Sequence, residues 1–71
     1  MTSKPNRSFL QWVIAYSKDG VIVGYVDSPE FLFSSIGEAV ANKSEALSVV
    51  NVKYPMLRIE NLHVVPLQEL G

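Results

Sequence analysis

Cysteine is absent from this chain. No disulfide can staple the fold, and no thiolate is available to hold zinc or to act as a nucleophile. Histidine occurs once, at position 63. A lone imidazole in a strand-like segment, with no carboxylate cluster beside it, does not make a metal site, so none is expected and no cofactor is implied. Charge of either sign is sparse. Six lysines and arginines stand against seven acidic residues, for a net charge of −1. A nucleic-acid binder would carry a basic stripe, and a DNA mimic a dense acidic surface; neither is present. No apolar run approaches the roughly 18 residues that span a bilayer, and the polar stretch Met1 to Ser8 lacks the character of a signal peptide. A cytoplasmic location, with no membrane partner, is the default expectation.

Apolar residues are plentiful by contrast. They make up 48% of only 71 residues. A chain of this size hides only about 60% of its unfolded surface on folding, so stability must come from apolar burial or from association. The apolar excess suggests a dimer or a face that binds a partner.

Residues 1–7 read as a disordered leader, 8–67 as one domain and 68–71 as a tail. Ser8 to Ser17 alternates as a strand, with Leu10, Trp12, Ile14 and Tyr16 on one face. Asp19-Gly20 is a hairpin signal, because glycine takes positive φ at little cost, and Val21 to Asp27 is the return strand. A three-residue loop with Gly20 as a bulge sets Tyr16 opposite Ile22, Ile14 opposite Gly24 and Trp12 opposite Val26. A two-residue loop moves Val21, Val23 and Tyr25 onto the Trp12 face instead. The first register is expected. Gly24 then marks a place where a large neighbour such as Trp12 or Ile14 leans across.

The middle of the chain has two readings. Asn42 is a candidate N-cap with Glu45 three residues on, and Pro55 is a stop signal, which places a helix over 42–54 with Ala46, Leu47, Val50 and Tyr54 as its apolar stripe. Phe31 to Ala41 is then extended, with Gly37 as a bulge. In the alternative, Ser28 and Pro29 start a helix over Phe31 to Ala41, and the valine-rich stretch 47–53 becomes a strand. Leu57 to Val65 reads as the closing strand, with a bulge at Asn61 restoring its phase and Pro66 ending it or lying at an edge. The expected fold is α+β: a three- to four-stranded, mainly antiparallel sheet with one helix packed on one face, in the order β-β-(β)-α-β, with ββαββ as the alternative.

No set of residues specifies catalysis. Ser28, Ser34, Ser35, Ser44 and Ser48 lie outside any nucleophile elbow, and Gly20, Gly24 and Gly37 match no phosphate loop. Asp19, Asp27 and Glu30 lack calcium-loop spacing. The protein is therefore expected to be non-enzymatic. Aromatics are favoured interface anchors. Tyr16 and Tyr25 near the hairpin, and Phe31 and Phe33 after Pro29, are the candidate partner-binding residues. A module that binds another protein is the leading reading. A homo-oligomeric structural domain is the second, and a single-strand nucleic-acid binder that stacks bases on sheet aromatics is the third.

A hairpin is followed by a helix bearing Ala41, Glu45, Ala46 and Leu47, then Tyr54-Pro55, then a closing strand through Val65-Pro66. This order resembles the small early proteins of T7-like phages that inhibit host RNA polymerase, and several small phage anti-defence proteins, over residues 9 to 66 in pattern. The resemblance implies a phage-encoded modulator that binds a host protein of the transcription or defence machinery in the host cytoplasm. Those inhibitors hold the polymerase with arginines on the final strand. Arg58 corresponds to one of these, while His63 and Val65 stand where further basic residues would be expected.

Overall fold

In the computed structural model, which describes residues 11–69, three antiparallel strands form one sheet in the order β2-β1-β3. They are β1 (Trp12–Lys18), β2 (Val21–Tyr25) and β3 (Leu62–Pro66). Two consecutive helices, α1 (Ile36–Ala41) and α2 (Lys43–Lys53), pack on one face. The α+β class, with a three-stranded antiparallel sheet and one main helix, is as expected. The leader, and the part of the first strand before Gln11, lie outside the described residues.

The hairpin turn has two residues. Asp19 and Gly20 both take positive φ, 56° and 80°, the pair of values that a type I′ turn demands and that matches the twist of the strands it joins. Lys18 therefore pairs with Val21, and Ser17 with Ile22. This corrects the expected three-residue loop; Asp19 tolerates the left-handed region, so no third residue is needed. The register then shifts at a bulge, so that Tyr16 faces Gly24 and Ala15 faces Tyr25. Beyond the bulge Gly24 and Val26 share the helix-side face with Tyr16 and Ile14, the parity of the other register. None of the pairs expected from the three-residue loop forms; only its division of faces returns beyond the bulge, where Val23 is the residue left without a partner. The side chain that leans across Gly24 belongs to Tyr16, not to Trp12 or Ile14.

The core lies between this face and the helices. Ile14, Val26, Phe33, Ala39, Ala46, Val50, Leu57 and Leu62 form one buried cluster, with Trp12, Tyr16, Leu47, Tyr54 and Val64 packed against it. The alanines at 39 and 46 are fully buried, and their small side chains let α1 and α2 approach the sheet. The central strand is buried on both faces, since Val13 and Ala15 are also inaccessible.

The helical region starts earlier than expected. Ser35 is extended, and its side chain accepts a hydrogen bond from the Glu38 amide at 3.2 Å. The Glu38 carboxylate in turn accepts from the Ser34 amide and hydroxyl. Ser35-x-x-Glu38 is thus the working start signal, and Gly37 lies in the first helical turn rather than in a strand bulge. Asn42 holds the N-cap position of α2, as expected, but its side chain does not cap it. Its φ of −104° and ψ of 10° leave its side chain without a bond to the first turn of α2. Its amide instead donates backward to the Glu38 carbonyl at 2.8 Å, closing α1. The Asn42 carbonyl accepts from the Ala46 amide, so one residue ends one helix and begins the next. Helix α2 itself has the expected span and inward stripe, and stops before Pro55. The alternative strand over 47–53 does not form, nor does a helix from Pro29; Pro29–Phe31 makes only one 3-10 turn.

The closing strand is shorter than expected. Ile59–Asn61 forms a 3-10 turn, and β3 begins at Leu62. The Asn61 side chain accepts from the Arg58 amide at 2.9 Å, while the Asn61 amide donates to the Arg58 carbonyl. Asn61 is therefore where the phase changes, through a turn rather than a bulge. Leu57 is buried and Ile59 is exposed, which would not hold if both lay on one face of a strand. Pro66 lies on β3, an edge strand, where its missing N–H costs no ladder bond.

Asn51 holds the chain after α2 in place. Its side-chain amide donates to the carbonyls of Tyr54 and Leu57, at 2.9 and 3.0 Å. An isosteric Asn51→Leu change leaves two carbonyls in a partly buried loop without donors. A loss of about 1–3 kcal/mol is expected in urea unfolding; a change within 0.3 kcal/mol would mean that the loop does not depend on this clamp.

Candidate functional site

Tyr16 and Tyr25 border the same cavity, although the register sets Tyr25 opposite Ala15, on the sheet face away from Tyr16. A cavity of about 190 Å³ opens where β2 ends, lined by Tyr16, Tyr25, Val26, Asp27 and Ser28 on the sheet side and by Val49, Val50, Lys53 and Tyr54 on the helix side. Tyr16 reaches it because Gly24, its cross-strand partner, has no side chain. A Cβ at position 24 would lie 2.5 Å from the Tyr16 hydroxyl oxygen and 2.7 Å from its Cζ. The Tyr16 ring then meets Tyr54 with centroids 5.5 Å apart at a tilt of 46°, within the favourable range for aromatic pairs. The Lys53 ammonium lies 5.6 Å from the Tyr54 ring centroid, in cation–π range. Asp27 contributes the opposite charge to the lining. The pairing of Ser28 with the Glu30 carboxylate fixes the turn beside it.

The other candidate residues lie elsewhere. Phe33 is buried, 8% exposed, which corrects the expectation that it reaches the surface. Its backbone exchanges two hydrogen bonds with Trp12, at 2.8 and 3.0 Å, extending the sheet by one residue pair beyond β2. Phe31 is half-buried and meets Phe33 edge-on, with centroids 6.2 Å apart. Burial follows from this short bridge, which a search for long alternating runs does not reveal. Arg58 is exposed on a separate, shallow groove lined by Leu47, Asn51 and residues 55–60. Lys53 and Tyr54 were missed as binding candidates. Their signal was present, since both lie one helical turn beyond Val49 and Val50, but their meeting with Tyr16 depends on how the helix crosses the sheet.

The most exposed apolar surface of the sheet is on β2. Val21, Ile22 and Val23 are 62%, 45% and 47% exposed. β2 is also an edge strand with no described strand on its outer side, so a row of backbone donors and acceptors is available there. A second exposed apolar group follows α2, with Val52, Met56 and Ile59.

The single histidine does meet a serine. Ser17 Oγ lies 2.8 Å from His63 Nε2 and 3.3 Å from the Asn61 carbonyl. The serine is only 8% exposed, so a substrate carbonyl has little room to approach. When the hydroxyl proton is donated to Asn61, the imidazole acts as donor to Ser17, the reverse of general-base activation. This network ties the end of β1 to the start of β3. Among the described residues no group of three or more His, Asp or Glu is placed to hold a metal, and no helix is long and apolar enough to cross a membrane.

The fold and the cavity together define a small α+β domain in which β2 has no described strand on its outer side and an aromatic recess lies where β2 ends. Comparison with protein-family models, curated proteins and solved structures returns no match.

Proposed function

We propose that this protein is a non-enzymatic protein–protein interaction module, and that it is a phage-encoded modulator of a host protein of the transcription or defence machinery. The observation that carries the binding reading is the edge strand β2 with its three consecutive exposed apolar residues. An extended segment of a partner can add to such an edge, with main-chain hydrogen bonds for affinity and side-chain contacts for selectivity. The mechanism is steric: the docked domain covers a working surface of its host target. The phage assignment rests on the sequence resemblance alone, and bacterial RNA polymerase is the target it names.

Lysines at the exposed positions 21 and 23 would obstruct edge pairing without touching the core. In run-off transcription with purified bacterial RNA polymerase, the wild-type protein is expected to inhibit at micromolar concentration. The Val21→Lys/Val23→Lys variant, with an unchanged melting curve, is expected to be at least ten-fold weaker. Undiminished transcription, with no co-elution of protein and polymerase in gel filtration, would remove the polymerase as target. Sedimentation separates the homo-oligomeric reading, in which the same lysines would dissolve a dimer.

A further inference from the structure

We draw no further inference here: the strongest candidate, the recess between the sheet and α2 where Tyr16 packs on Tyr54 at the end of β2, carries nothing further because its lining holds one charge of each sign, Asp27 and Lys53, and nothing in the structure shows what covers it.

Discussion

Ile14→Ala is expected to lower the stability of this protein by about 2–5 kcal/mol. Ile14 is fully buried at the middle of the central strand and contributes to the main cluster between sheet and helices. Removing its outer carbons loses their transfer free energy and leaves a cavity that two edge strands and two helices cannot all close around. A domain of this length holds only about 4–10 kcal/mol in total, at roughly 0.05–0.15 kcal/mol per residue. The same change should therefore lower the melting temperature by about 10–30 °C. The control is Val52→Ala on α2. Val52 is 87% exposed, so little burial is lost, and alanine is the better helix former by a few tenths of a kcal/mol. Val52→Ala should leave the melt unchanged or raise it slightly. Equal losses at positions 14 and 52 would contradict this division between core and surface.

Gly24→Ala is expected to cost about 1–3 kcal/mol, a large penalty for adding one methyl group to an edge strand. Gly24 does not take positive φ, so its backbone would accept alanine without strain. The obstacle is the Tyr16 ring, whose hydroxyl and Cζ would lie 2.5 and 2.7 Å from the new carbon. Tyr16 cannot swing away freely, because it is half-buried and packed on Tyr54. The discriminating measurement is a double-mutant cycle. In a Tyr16→Ala background the clash is gone, and Gly24→Ala should become neutral or stabilise by up to about 1 kcal/mol, since glycine weakens a strand interior. A penalty that persists without the tyrosine would show that the conflict lies in the backbone.

Much of the fold was legible because local chemistry agreed with tertiary packing. Asp19-Gly20 marked the turn, the alternation of Trp12, Ile14 and Tyr16 marked the helix-side face of β1, and the spacing of Ala46, Leu47, Val50 and Tyr54 marked the inner stripe of α2. The errors fell where two local signals were equivalent. Ser35-x-x-Glu38 and Asn42-x-x-Glu45 carry the same start signature. Burial of Ala39 against the sheet favours a helix that starts at the first, and Asn42 then serves as a joint. Likewise, Asn61 could restore strand phase by a bulge or by a turn, and burial of Leu57 with exposure of Ile59 selects the turn.

The candidate site was less legible. Tyr16 and Tyr25 both border the recess, but the bulge at Val23 sets Gly24 opposite Tyr16 and turns Tyr25 to the face of Ala15. Tyr54 reaches the same recess from a helix that could have crossed the sheet at other angles. Phe33 looked like an exposed aromatic after a proline, yet two backbone bonds to Trp12 draw it into the core.

By itself the sequence determined the class of the domain, the sites of its turns, the inward face of its main helix and the absence of any thiol chemistry. These follow from interactions within a few residues: backbone conformational preference, capping and periodicity. Tertiary structure alone decided the hairpin register, the break at Asn42, the burial of Phe33 and the meeting of Tyr16 with Tyr54. Those features depend on which of several locally equivalent choices lets residues 14, 26, 33, 39, 46, 50, 57 and 62 close into one core.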